Sequence, residues 1–283
     1  MTLKELYKHY STSLEQIYNP KEAESITKWV FESLAETSRT HIITGNPGPV
    51  STLLTQQLNN SLQELLLHIP VQYVLGESWF YKLKLKVNNH VLIPRPETEE
   101  LVQMVINDAR QNKKSGSILD IGTGSGCIAI ALKKNLPQSH VTAIDMSEEA
   151  LHVARHNAIL QNTSIDFLSV DFLDELNWTG LPVFDIVISN PPYIPLNEKE
   201  KLDRNVREFE PAEALFVPDE SPLIFYAKIA AFVQNHGKPD GHVYVETHED
   251  QAGNVAALFN KTLKQVEIIK DLFGKDRMVK AII

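Results

Sequence analysis

Ile118-Leu119-Asp120-Ile121-Gly122-Thr123-Gly124-Ser125-Gly126-Cys127-Ile128-Ala129 is a short apolar strand, a glycine-rich turn and the start of an apolar helix. The glycines permit positive φ and let a ligand come close to the backbone. The spacing is not the dinucleotide pattern G-x-G-x-x-G, because the third glycine comes one residue early, and the Lys-Ser/Thr of a phosphate-binding P-loop is missing. From Glu97 onward the same strand-then-helix pattern recurs. Strands are predicted near 117–121, 140–145, 165–170, 183–189, 242–247, 264–270 and 277–282. Helices are predicted near 98–112, 125–136, 147–161, 221–236 and 250–260. Such alternation implies an α/β fold with a mostly parallel sheet covered on both faces.

Ligands of open α/β sheets bind at the carboxyl ends of the strands, so the residues there decide the chemistry. Val141-Thr142-Ala143-Ile144 ends in Asp145, 19 residues past Gly126. An acid at that distance can accept hydrogen bonds from ribose hydroxyls. The other reading of Asp145, a helix N-cap, competes with Ser147, which can do that job itself. Without a pyrophosphate-binding turn, a ligand carrying an adenosine and an amino-acid group fits better than NAD. The next buried strand, Val183 to Ser189, ends in Asn190-Pro191-Pro192-Tyr193. Two prolines stop both strand and helix, since neither ring nitrogen can donate. The result is a rigid loop with a polar tip and an aromatic ring, suited to a planar amide or amine. Asn-Pro is also a common turn starter, so the tetrapeptide alone leaves a plain turn open.

The order Asp120 to Gly126, Asp145, then Asn190 to Tyr193 resembles the Rossmann-like S-adenosylmethionine methyltransferases that modify planar nitrogens. Further segments narrow the match: Val71-Gln72-Tyr73-Val74-Leu75-Gly76, Ile93-Pro94-Arg95-Pro96-Glu97-Thr98-Glu99, Val206-Arg207-Glu208-Phe209-Glu210-Pro211 with Ala214-Leu215, and Asp276-Arg277. Over essentially the whole chain they resemble the release-factor glutamine N5-methyltransferases, the HemK/PrmC family. The resemblance implies S-adenosylmethionine as cofactor, an antiparallel last strand, and a glutamine in the Gly-Gly-Gln loop of peptide chain release factors as substrate. Glutamine methylation of a ribosomal protein, adenine N6-methylation of nucleic acid and a cofactor-binding protein without activity are the competing readings. An intact Asn-Pro-Pro-Tyr counts against the last.

On this reading the cofactor pocket comprises Gly122, Thr123, Gly124, Ser125, Gly126, Asp145, Phe172 and Asn190. Phe172 stands where many relatives of the family carry Trp, so stacking can remain but an indole N–H contact cannot. Asn190, Pro191, Pro192 and Tyr193 bind the substrate, and Asn190, Pro191 and Tyr193 carry the chemistry. Asp120 orients the turn or the cofactor's ammonium. Arg95 and Glu97 either line the substrate mouth or cap and pair at the start of the first helix of the domain.

Residues 1–75 read as a small helical bundle and substrate-docking domain. Ile26, Trp29, Val30, Phe31 and Leu34 share one helical face, and Leu54, Leu58, Leu62, Leu65 and Leu66 another. Gly45-Asn46-Pro47-Gly48-Pro49 breaks the pattern and Ser51 reads as an N-cap. Residues 76–96 read as a β-hairpin connector that turns at Asn88-Asn89, and 97–283 as the methyltransferase domain. The net charge of −9 and the lack of a basic face argue against duplex DNA. Between Glu198 and Glu220 eight acids face four bases, an acidic rim suited to a basic protein partner. No apolar run reaches the roughly 18 residues of a membrane span. The single cysteine, Cys127, reads as a small packed residue and fits a reducing cytoplasm. No Cys/His cluster has metal-ligand spacing, so no metal is expected.

Overall fold

The computed structural model describes residues 2–44, 50–111 and 116–283. The expected helix break at 45–49 lies outside them. The chain forms two compact units: residues up to Gly76 together with Asp203–Phe209, and Glu77–Leu202 together with Glu210–Ile283.

The first unit is helical. Helices α1 (Leu3–Leu14), α2 (Pro20–Leu34), α3 (Arg39–Thr44), α4 (Thr52–Leu66) and α5 (Val71–Leu75) follow in order. Thr2 and Glu5 close a reciprocal capping box on α1, and Asn19 caps α2 with Pro20 in its first turn. Ser51 caps α4 by accepting from the Leu54 amide. The buried stripe comprises Leu6, Tyr10, Leu14, Val30, Phe31, Leu58, Leu62 and Leu65, with Tyr7 and Tyr10 set edge-on against the Phe31 ring. Trp29 and Leu34 lie at its margin, half-buried.

The second unit opens with the antiparallel pair β1 (Glu77–Phe80) and β2 (Leu83–Lys86). The turn is Tyr81-Lys82, both at positive φ of 49° and 63°, not Asn88-Asn89 as expected. The two left-handed residues give the tight turn whose twist suits a hairpin. Asn88 does make a turn, its side chain accepting from the His90 amide, but no strand returns from it. Buried Asn157 fastens the hairpin to the glycine loop: it bonds both the Lys86 amide and carbonyl and also donates to the Ser125 carbonyl.

The remaining elements are α6 (Pro96–Gln111), β3 (Ser117–Ile121), α7 (Cys127–Asn135), β4 (His140–Asp145), α8 (Glu148–Leu160), β5 (Asp166–Ser169), β6 (Phe184–Ser189), β7 (Ile194–Pro195), α9 (Arg204–Phe209), β8 (Phe216–Val217), α10 (Ile224–His236), β9 (Gly237–Glu246), α11 (Ala252–Phe259), β10 (Lys264–Lys270) and β11 (Asp276–Ile282). Seven strands form one sheet in the order β10-β11-β9-β6-β3-β4-β5. The strands from β9 to β5 in that order run parallel, and β11 inserts antiparallel between β9 and β10, as expected. Alternate residues feed two cores: Leu119, Val187, Val243 and Val245 face one layer, and Ile118, Ile186, Ile188 and Tyr244 the other. The order reverses at β3, which puts a crevice beyond the ends of β3, β4 and β6.

Candidate active site

The crevice is lined by Gly122 and Gly124 after β3, Asp145 to Ser147 after β4, Val170 to Leu173 after β5, and Ser189 to Pro192 after β6. His90 to Leu92 and Pro211, Glu213, Ala214 and Phe225 complete the wall. The sequence reading did not assign these last groups, or Met146 and Leu173, to the pocket: most reach it through loops, and Phe225 does so from the first turn of the helix Ile224–His236.

The glycine loop takes a left-handed conformation that residues with a side chain adopt rarely. Gly122 and Gly124 sit at φ of +71° and +53°, and an added Cβ at either would meet no protein atom within 4 Å. The space above the backbone is therefore free for a ligand, while the dihedrals disfavour a side chain. Gly126 differs. Its Cβ would meet Ala154 and Ile130 at 3.1 Å, so it serves close packing of α7 on α8. Thr123, Ser125 and Gly126, expected among the cofactor contacts, do not line the crevice. The Thr123 hydroxyl donates to the Asp120 carboxylate at 2.7 Å, and the carboxylate thereby orients the turn. Burial pushes the Asp120 carboxyl up to about 7.

Asp145 closes β4 at the crevice. One carboxylate oxygen accepts from the Gly124 amide at 2.8 Å and the other from the Ser147 amide at 3.0 Å. Ser147 is the N-cap of α8, accepting from the Ala150 amide. Burial raises the Asp145 carboxyl, against the pull of these backbone bonds. A carboxylate held by two amides at a crevice wall is pre-aimed for ligand hydroxyls. Asp145→Ala is expected to weaken binding of S-adenosylhomocysteine by roughly 1.5–3 kcal/mol, the scale of a charge-assisted hydrogen bond. Calorimetry reads this directly, and unchanged affinity would leave Asp145 a loop brace.

Phe172 lines the crevice with little of its ring. The side chain is 5% exposed, stacked on Trp178 and edge-on to Phe232. The Trp178 indole N–H donates to the Phe172 carbonyl at 3.0 Å. The expected stacking platform is thus largely committed to the core. Burial pushes the Cys127 thiol up to about 12, which keeps it an inert packed residue.

The tetrapeptide leaves β6 in a fixed frame. The Ser189 hydroxyl donates to the Ile121 carbonyl at 2.8 Å, and β7, pairing with β8, holds the exit. The Asn190 Nδ2 donates to the Thr98 hydroxyl at 3.0 Å. The Thr98 hydroxyl donates to Glu246 Oε2 at 2.6 Å, and the Tyr193 hydroxyl donates to Glu246 Oε1 at 3.4 Å. Among the described residues no donor pairs with Asn190 Oδ1 or with the Pro191 carbonyl. Two acceptors on consecutive residues at the strand end thus have no protein donor among these residues. Burial, with Glu246 close by, raises the Tyr193 phenol, which stays a neutral donor. Thr98 and Glu246 were not singled out by the sequence reading.

Arg95 stands at the start of α6, where its carbonyl accepts from the Thr98 amide at 3.2 Å. Its side chain pairs with buried Glu210, whose other oxygen accepts from the Ile93 amide at 3.1 Å. The stretch 198–220 is less uniformly acidic in space than in sequence. Glu198, Glu208 and Glu210 pair with Lys201, Arg204 and Arg95, and Asp203 and Glu208 go with the helical unit. Among the described residues no cluster of His, Cys, Asp or Glu could hold a metal ion, and no helix is long and apolar enough to cross a membrane.

The buried acids also set a stability signature. Asp120 and Glu246 keep their protons up to about 7 in the folded state, whereas the unfolded chain loses them near 4. Between these values the unfolded chain binds fewer protons, so stability falls as pH rises. Asp108 and Asp185, held low by Lys280 with Tyr244 and by Lys238 with Ser117 against their burial, act below that window. Melting temperature is expected to decline from pH 5 to 7 and to decline less in Asp120→Asn. An equal slope in both proteins would refute the assignment.

Two families match the chain: the PrmC N-terminal domain over residues 5–76 and the methyltransferase small domain over residues 98–212. The chain is 39% identical to a release factor glutamine methyltransferase of Flavobacterium psychrophilum, over 97% of this chain and 98% of the relative. It is 41% identical to one of Streptococcus pneumoniae, over 99% and 98%. The solved structure of a methyltransferase from Pyrococcus furiosus is similar at a TM-score of 0.53 and 17% identity, covering 79% of this chain and 98% of that one. That last likeness speaks to fold alone.

Proposed function

The chain belongs to the release factor glutamine methyltransferases, S-adenosylmethionine-dependent enzymes that methylate a release-factor glutamine, and we propose that its target is the side-chain amide nitrogen in the Gly-Gly-Gln loop. The observation that carries the reading is the pair of unclaimed acceptors, Asn190 Oδ1 and the Pro191 carbonyl, at the end of β6 beside the crevice.

The residues present fit the cofactor. Gly122 and Gly124 offer open backbone, and Asp145 offers a carboxylate already aimed by two amides. Bound there, S-adenosylmethionine supplies a methyl group made electrophilic by its sulfonium. The protein supplies position and fixed dipoles. An amide nitrogen is a weak nucleophile because its lone pair is delocalised into the carbonyl. Asn190 Oδ1 and the Pro191 carbonyl accept its two N–H groups, hold it flat and shift electron density toward nitrogen. Pro192 lines the crevice and fixes the loop, and Tyr193, which does not line it, braces the loop through Glu246. No base has to act before transfer, since the protonated product amide is strongly acidic and loses its proton to water.

The helical unit and the residual acids between Glu198 and Glu220 fit recognition of a basic protein. The net charge of −9 suits such a partner better than nucleic acid, and a release factor as substrate fits a cytoplasmic enzyme. The test is transfer of labelled methyl to purified release factor, ribosomal protein and DNA in parallel, with the modified residue located by mass spectrometry. Label on the Gly-Gly-Gln glutamine is expected, and label on another substrate alone overturns the reading.

A further inference from the structure

Asn190 has an amide that must face one way. Its oxygen is useful to an incoming N–H only if its nitrogen points elsewhere, and rotation of the amide by a half turn would present a donor instead. The residues behind it decide the matter. Thr98, on α6, lies between Asn190 and Glu246, and its hydroxyl bonds both. A hydroxyl has one proton. Ionised Glu246 can only accept, so that proton is committed to Glu246 Oε2. The Thr98 oxygen is left to accept, which draws the Asn190 nitrogen to it and turns Oδ1 outward. The other Glu246 oxygen takes the Tyr193 proton. One buried carboxylate therefore holds both polar side chains of the tetrapeptide, Tyr193 directly and Asn190 through Thr98. Glu246 is itself fixed, 2% exposed at the end of β9, with its carbonyl accepting from the Tyr226 hydroxyl at 3.0 Å.

We propose that Thr98 and Glu246 are positioning residues for methyl transfer, a proton-ordered relay that keeps the Asn190 carbonyl turned to the substrate amide. The proposal rests on the reading of Asn190 as the group that accepts from that amide.

The relay has a pH sense. Burial pushes the Glu246 carboxyl up to about 7, with Thr98 and Arg277 acting to lower it, Glu97 to raise it, and Tyr193 to lower it. Protonated Glu246 can donate to Thr98, which frees the Thr98 proton to face Asn190 and removes the order. Turnover then falls on the acid side. Glu246→Gln keeps the shape but carries both a donor and an acceptor, so it imposes no order and no such titration.

The experiment uses the full chain with purified release factor. Asn190→Ala, Thr98→Val, Thr98→Ser and Glu246→Gln are compared in kcat, KM, affinity for S-adenosylhomocysteine, melting temperature and pH profile. Thr98→Val and Glu246→Gln are expected to lower kcat about 10- to 100-fold, the usual scale for losing a partner that orients a reacting group, with KM and cofactor affinity within about twofold. Thr98→Ser, which keeps the hydroxyl, is expected to restore kcat to within about threefold of wild type. The acid limb of kcat is expected in wild type and absent in Glu246→Gln. Wild-type kcat in Thr98→Val while Asn190→Ala is inactive overturns the relay. So does an acid limb retained in Glu246→Gln, or a folded Thr98→Ser as slow as Thr98→Val. An active Asn190→Ala overturns instead the reading of the tetrapeptide on which the relay stands. Should Thr98→Val not fold, Thr98→Ser and Glu246→Gln decide by their kcat and pH profiles.

Discussion

Asn190→Ala is expected to lower kcat on release factor by about 10²–10³-fold, the cost of removing one preorganised hydrogen-bonding group at a reacting centre. The substitution removes Oδ1, one of two unclaimed acceptors at the end of β6, and leaves the Thr98 hydroxyl without its Asn190 partner. The Pro191 carbonyl remains, so the substrate amide keeps one anchor and loses its orientation. Binding of the release factor does not depend on that single contact, and KM is expected to change far less than kcat. Asn190 also lines the crevice, so affinity for S-adenosylhomocysteine should weaken but stay measurable. Steady-state kinetics with labelled methyl donor and calorimetry separate these effects. Turnover near wild type in a folded Asn190→Ala would end its assignment as the group that holds the amide.

The parts of this site that sequence disclosed are those where backbone geometry or element ends dictate the residue. Gly122 and Gly124 were legible because positive φ beneath an open space admits little else. Asp145 and Asn190 were legible because each ends a strand whose apolar run is plain, and sheets bind ligands there. The same logic does not bring Gly126 to the crevice wall; the tight fit against Ala154 and Ile130 accounts for that glycine. That logic also misplaced the hairpin turn. Asn88-Asn89 has turn-forming side chains, whereas Tyr81-Lys82 takes positive φ without that signal because β1 and β2 pair on either side. Phe172 stood at the right loop, but its ring is claimed by Trp178 and Phe232, a packing choice no local pattern reveals. Thr98 and Glu246 were out of reach for another reason. Their bond joins residues 148 apart in the chain, and the bond from Asn190 to Thr98 spans 92. Each residue alone reads as an ordinary helix-start threonine or strand-end acid. Only the sheet order, which sets β9 beside β6, brings them behind the tetrapeptide.

Removal of the helical unit is expected to leave cofactor binding nearly intact and to lower kcat/KM on whole release factor by about 10³-fold. A glutamine amide is small, and the two acceptors at Asn190 and Pro191 treat every glutamine alike. Choice among glutamines must then come from contacts remote from the chemistry, whose binding energy is used for orientation at the reacting group. Two anchor residues at about 2 kcal/mol each account for a loss of that size. The crevice residues Gly122, Gly124, Asp145 and Asn190 all lie within the other unit, which has both layers of its own core, so cofactor affinity gives a direct check of its folding. One element complicates the cut. Helix α9, Arg204–Phe209, clusters with the helical unit although the chain reaches it long after Gly76. A chain beginning at Gly76 therefore leaves α9 without its packing partners, and its melting temperature has to be measured beside its kinetics. The decisive comparison is between a short Gly-Gly-Gln peptide and the intact release factor. If the helical unit recognises the substrate body, full-length enzyme prefers the intact protein strongly, and the shortened enzyme uses both substrates alike. If the unit is scaffolding, the two enzymes keep the same preference, and a shortened enzyme that binds cofactor normally with unchanged kcat/KM on release factor would remove the docking role.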